Sequence, residues 1–213
     1  MSVDQLVSLA IAHRWEILAV VFGIASVYLS TREHIWSWPT ALVNVALYFV
    51  VFYEAKLYAD MGLQVVYFGL SLYGWYEWLY GGENRTELHV SRTTKTLGVR
   101  LLVIGVVFAA VLGTLLARFT DAALPYVDSV TTSTSLIAQW MMTRKILENW
   151  LVWAAVDVVY IAMFIVKHLY LTAALYAVFL VLATMGYMQW KRSLTGRELG
   201  TGNGEPGPEL IRA

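Results

Sequence analysis

The sequence predicts an all-α membrane protein: seven transmembrane helices, arranged as two parallel three-helix repeats joined by a linker helix. Three observations carry that prediction. The 213 residues are 59% hydrophobic and only 14% charged, with a mean hydropathy of +0.60, whereas a soluble domain carries roughly 25% charged residues. Apolar runs at 15–31, 38–54, 58–80, 99–118, 125–142, 149–166 and 169–190 are each about as long as a bilayer core requires. A gapless shift of 112 residues superposes Thr31-Arg32 on Thr143-Arg144, Trp38 on Trp150, Tyr48 on Tyr160, Tyr58 on Tyr170, Gly74 on Gly186 and Trp78 on Trp190. The match spans helices one to three and five to seven. A single helix between the units restores the chain direction, so the repeats are parallel and related by an axis along the membrane normal.

Taken in order, residues 1–14 contain Asp4, His13 and Arg14 and lack an apolar core with a cleavage site, so no removable signal peptide is expected and the first helix stays. Pro39 and Pro125 read as first-turn prolines, where the missing N–H is harmless, and open helices two and five. The first repeat is 15–80, and 81–118 is a loop followed by the linker helix. That helix carries Gly105, Ala109, Gly113 and Ala117 at four-residue spacing, a small-residue stripe that admits a close neighbour. The second repeat is 125–190, and the Gly- and Pro-rich tail 193–213 reads as disordered. Trp36, Trp38, Tyr80 and Trp190, near helix ends, read as an interfacial belt. One side of the membrane receives eleven Lys and Arg, the other only Arg14, Lys56, Arg118 and Lys167. The richer side is expected to be cytoplasmic, with the N-terminus outside and the C-terminus inside.

Several function classes are excluded. The formal net charge of zero gives no whole-chain attraction to nucleic acid, and the absence of cysteine removes disulfides, thiolate catalysis and thiolate metal sites. A GxxxxGK loop is lacking, helix seven has no lysine for a retinal, and His13, His34, His89 and His168 fall in loops or at membrane edges. An enzyme, a cofactor and a metal centre are therefore not expected.

What remains is a polar stripe inside apolar helices. Trp150, Trp153, Asp157 and Tyr160 share one face of helix six; Thr132, Ser135 and Gln139 share one of helix five, within the run TTSTS. Asp60, Gln64, Tyr67, Ser71 and Trp75 line up on helix three, and Asn44 and Tyr48 on helix two. A carboxylate at the depth of Asp157 costs roughly 2.5–3.5 kcal/mol on insertion scales and marks a functional site. These faces are expected to form one cavity between the repeats. Indole faces attract flat cations, a carboxylate adds Coulomb attraction, and amides and hydroxyls suit a sugar diol, so an aromatic, nucleoside-like cation fits.

The chain also resembles the PnuC family of vitamin transporters over about residues 15–192, through WSWPTALVN, QVVYFGLSLYGWYEW and TTSTSLIAQWMMTRKILENWLVWAAVDVVY. The resemblance implies a SWEET-like three-plus-one-plus-three fold in the bacterial inner membrane and facilitated diffusion of nicotinamide riboside. It implies a cytoplasmic nicotinamide riboside kinase that traps the vitamin by phosphorylation, and a homo-oligomer, suggested as a trimer. The family's helix-three glutamine falls on Gln64, its helix-five glutamine on Gln139, and its helix-six Trp-x-x-x-Asp/Asn pair on Trp153 and Asp157. Relatives carry thiamine or riboflavin, which keeps those vitamins open, and a receptor that binds a nucleoside without moving it is a further alternative.

Overall fold

The computed structural model describes residues 14–54, 56, 58–120, 124–166, 168 and 170–202. Its helices are α1 (Arg14–Thr31), α2 (Ser37–Glu54), α3 (Tyr58–Tyr80), α4 (Lys95–Phe119), α5 (Pro125–Thr143), α6 (Asn149–Val166) and α7 (Tyr170–Gly202). Pro125 occupies the first position of α5, where its ring fits the helix and no hydrogen bond is lost. The fourth helix begins at Lys95, earlier than its apolar run, because Thr94 caps it by accepting the Leu97 N–H at 3.2 Å. Helix α7 overruns the expected boundary at 190 and passes through Ser193 to Gly202. Leu194 packs there against the tryptophan core, so the first part of the expected disordered tail is helix; residues 203–213 lie outside the described residues.

Among the described residues, four helices are long and apolar enough to cross a membrane by length and composition alone: α1, α4, α6 and α7. The other three, α2, α3 and α5, carry Asn44, Gln64 and Gln139 into the interior described below. Hydrophobic side chains cover the outer faces; Leu102 and Val106 of α4, for example, are 67% and 61% exposed, as a lipid solvent requires.

Neighbour contacts run α1 to α2, α2 to α3, α3 to α5, α5 to α6, α6 to α7 and α7 back to α1, which closes a ring of six helices. Helix α4 stands outside the ring, packed on α5. The small-residue stripe makes this possible. A Cβ added at Gly105 would come within 2.6 Å of the Ile137 side chain, and one at Gly113 within 2.6 Å of the Tyr126 ring. Ser133 fastens the pair by donating its hydroxyl to the Gly105 carbonyl at 2.9 Å. Ala117, the last residue of the stripe, is exposed.

Equivalences at an offset of 112 recur throughout the backbone. The bounds of α2 and α6 differ by that number at both ends. The left-handed turn residues Glu33 and Lys145 are also related by it, as are Lys56 and His168. At the end of the ring carrying residues 81–94, that segment is strapped to the α5–α6 turn. Ser91 donates its N–H to the Lys145 carbonyl at 3.0 Å, Leu147 donates to Ser91 at 2.9 Å, and Glu148 accepts the Thr93 N–H and hydroxyl at 2.8 and 2.9 Å.

Inside this loop end lies the aromatic core. Trp38, Trp78, Trp190 and Trp150 form a chain of edge-to-face contacts with centroid separations of 5.2, 5.9 and 5.4 Å, each worth about 0.5–1.5 kcal/mol beyond area burial. Gly74 and Gly186 make room for it, since a Cβ at either would collide with the Trp38 or Trp150 ring. The assignment of Trp38 and Trp190 to an interfacial belt is thereby corrected. They are 3% and 0% exposed: the Trp38 ring fills the slot at Gly74 edge-on to Trp78, and Trp190 packs on Trp78 and Trp150 with its Nε1–H on the Ser30 carbonyl. Trp36 and Tyr80 do lie outward, 61% and 50% exposed.

Candidate functional site

The ring encloses a cavity of about 440 Å³ lined by all six of its helices and by no residue of α4. That volume falls within the usual range for small-molecule sites, about 300–1,000 Å³. The tryptophan core is its floor, with Trp38, Trp150, Ser30 and Met142 on the cavity side. From there it extends past the middle of the helices to Phe52, Gln64 and Leu175, toward the opposite helix ends.

Of the residues expected from sequence to meet, Asn44, Tyr48, Gln64, Tyr67, Ser71, Gln139, Trp150, Trp153 and Asp157 line this cavity. Asp157 is 5% exposed, and among the described residues its carboxylate has no hydrogen-bond or ion-pair partner within the protein. An acid so placed is costly unless a ligand or water supplies the missing donor. Trp153 stands one helical turn away on the same face of α6, and Gln139 projects from the neighbouring α5. Asn44 is already partly committed, since its Nδ2 donates to the Ala19 carbonyl at 2.6 Å.

Thr132, Ser135 and Tyr160 are not among the lining residues. Tyr160 stacks on Phe164 and lies tilted against Tyr176, with centroids 5.9 and 4.8 Å away. Other hydroxyls of the TTSTS run turn back on their own helix: Thr131 bonds the Val127 carbonyl and Thr134 that of Val130, the usual satisfaction of a hydroxyl in an apolar span. Asp60 is exposed, and Trp75 packs against the tryptophan core.

Sequence reasoning missed the contributions of α1 and α7: Ser26 and Ser30, and Tyr176, Phe179 and Ala183. A signal for the α7 set was present, because adding 112 to Gln64, Tyr67 and Ser71 gives Tyr176, Phe179 and Ala183. The serines of α1 had none, since one hydroxyl in an apolar helix says little. Ser26 donates to the Ser37 carbonyl at 2.8 Å and so joins α1 to α2 beside the cavity.

Ion pairs stand at the loop end. Lys145 is paired with Glu33 at 3.4 Å and stands 4.5 Å from the centre of the Trp78 ring. Burial pushes the Lys145 ammonium below its ordinary value, and the Glu33 carboxylate opposes that shift. Arg144 pairs with Glu77 at 2.7 Å and donates to the Tyr73 hydroxyl at 3.2 Å.

Apolar helices closed around a cavity of amides, indoles and one carboxylate are the frame of a multi-pass membrane carrier of small molecules. Comparison with known proteins narrows that class. Residues 13–192 match the family model described as nicotinamide mononucleotide transporter, and the chain belongs to that family, one of membrane transporters and not of enzymes. A nicotinamide riboside transporter, PnuC, of Escherichia coli is 27% identical over 207 residues, covering 85% of this chain and 87% of that protein. A riboflavin/roseoflavin transporter, RibM, of Streptomyces davaonensis is 25% identical over 176 residues, covering 80% and 81%. The crystal structure of a vitamin B3 transporter PnuC shares the fold, with a TM-score of 0.71 at 24% identity over 90% of this chain and 86% of that one.

Proposed function

We propose that the protein carries nicotinamide riboside down its gradient through the ring, with Gln64, Gln139, Trp153 and Asp157 as the principal contacts. The observation that carries this reading is the convergence of those four side chains, from α3, α5 and α6, on one cavity. A ribosyl-pyridinium has an aromatic face for Trp153, hydroxyls for Asp157, and a carboxamide for the two glutamines. The repeats 15–80 and 125–190, with α4 as linker, supply two movable halves around it. We place the loop end in the cytoplasm on the charge count, the N-terminus outside and the C-terminus inside. There a nicotinamide riboside kinase would trap the vitamin, and a homotrimer is the assembly expected.

Riboflavin is the second reading, favoured by the relative that transports it. Uptake of labelled nicotinamide riboside and riboflavin into vesicles loaded with the matching kinase and ATP separates the two. Accumulation of nicotinamide riboside is expected. Accumulation of riboflavin alone would replace the substrate, and binding without uptake of either would indicate a receptor.

A further inference from the structure

We propose that the loop end of the ring is a gate held shut by two equivalent indole latches, one across each seam between the repeats, and that substrate crosses this end only when both part. Trp78 of α3 donates its Nε1–H to the Met142 carbonyl of α5 at 3.1 Å. Trp190 of α7 donates to the Ser30 carbonyl of α1 at 2.9 Å. Donors and acceptors are both related by the 112-residue offset, so this is one bond made twice. The contacts α3 to α5 and α7 to α1 are the two places where the ring passes from one repeat to the other. Both latches lie beneath the cavity floor, with Trp78 and Trp190 2% and 0% exposed.

The same floor contains groups that gain from opening. Ser37 Oγ, Trp38 Nε1, Asn149 Oδ1 and Trp150 Nε1 are buried without a hydrogen-bond partner among the described residues. They again fall in pairs at the offset, on the first turns of α2 and α6. A buried polar atom without a partner penalises the state that buries it. The closed end is thus secured by a few directional bonds and opposed by groups that water would satisfy, the balance a switchable element needs.

The two seams are unequal. Across α3 and α5 the latch is reinforced by the Glu77–Arg144 ion pair at 2.7 Å. At the equivalent positions the other seam has Gln189 and Arg32. The Gln189 Oε1 is buried without a partner among the described residues, and the Arg32 guanidinium lies over the Tyr28 ring at 5.6 Å. The α7/α1 seam is therefore the weaker and parts first.

The chain contains no cysteine, so a single reporter can be placed cleanly. Ser37→Cys sits on the cavity side of the latches, where Ser37 is 1% exposed. A membrane-impermeant thiol reagent is applied from the loop side, without substrate, to this protein and to versions also carrying Trp78→Phe, Trp190→Phe or both. Each change removes the Nε1–H donor and leaves a smaller ring, which also gives up part of the indole's edge contacts. Modification should accelerate at least about fivefold for either and at least on the order of 25-fold for both, the share of the ordinary hydrogen bonds alone. Gln189→Glu, which can pair with Arg32, should instead slow modification about threefold or more. Unchanged rates in the double phenylalanine variant overturn the gate. Should that variant not purify as folded protein, Gln189→Glu decides alone, and an unchanged or faster rate overturns it. Because no substrate is present, the outcome does not depend on which vitamin the protein carries.

Discussion

At positions related by the 112-residue offset, the first repeat offers the cavity Val27, Ala41 and Val45, and the second offers Gln139, Trp153 and Asp157. On the third helix of each repeat the polarity reverses: Gln64, Tyr67 and Ser71 of α3 correspond to Tyr176, Phe179 and Ala183 of α7. Because α3, α5 and α6 are consecutive in the ring, the amides and the carboxylate other than Asn44 gather on one wall, while α7, α1 and much of α2 supply a wall of apolar side chains and scattered hydroxyls such as Ser26, Ser30 and Tyr176. The 112-residue equivalences give a near-symmetric frame, but the proposed substrate, a riboside, is not symmetric. Divergence at a few equivalent positions, without any change of backbone, is enough to give the site a polar edge and an apolar face.

Breaking the polar wall should cost most at its charge. Asp157→Val gives the second repeat the residue that the first has at Val45. If the carboxylate bonds the riboside, affinity should fall on the order of 10- to 100-fold, the loss of about 1.5–3 kcal/mol typical of a hydrogen bond to a charged group. Next comes Trp153→Ala, whose counterpart is Ala41. Loss of base stacking, about 1–3 kcal/mol elsewhere, should weaken binding roughly tenfold, with Trp153→Phe weaker by less; calorimetry reads both. Gln139→Val, after Val27, removes one neutral partner and should cost only about fivefold. Thr132→Val, outside the lining, should leave affinity at the parent value, and a loss there would extend the site to a part of α5 the cavity does not reach.

Asp157→Asn sharpens the comparison. If the carboxylate selects the pyridinium charge, nicotinamide riboside should lose more affinity than a neutral isosteric riboside, because only the cation loses Coulomb attraction. If it accepts a ribose hydroxyl, the two should lose alike. The acceptance of Asn at this position implied by the family resemblance favours the second outcome.

Much of this frame was legible in the chain because its strongest signals are local and repeated. Aligned Trp, Tyr and Gly residues gave the offset, and the bounds of α2 and α6 in the structure differ by the same number. Depth was harder to read. A tryptophan near a helix end has the same sequence signature at a headgroup as in a core, and only the slots at Gly74 and Gly186 distinguish Trp38 and Trp150 from Trp36. Helix α5 is hydroxylated on several faces, so periodicity chose Thr132 and Ser135 together with Gln139 although only Gln139 reaches the cavity. The apolar wall was hidden for the opposite reason: residues such as Leu175 and Val20 look the same whether they face lipid or ligand.

The most direct test of the polar-wall assignment is a calorimetric titration of nicotinamide riboside into the purified parent protein and the Asp157→Val variant, with Thr132→Val as the control on the same ring. Saturable binding to the parent and the control, weakened at least about tenfold in Asp157→Val, is the predicted result. Equal affinity in all three proteins would contradict it and remove Asp157 from the site.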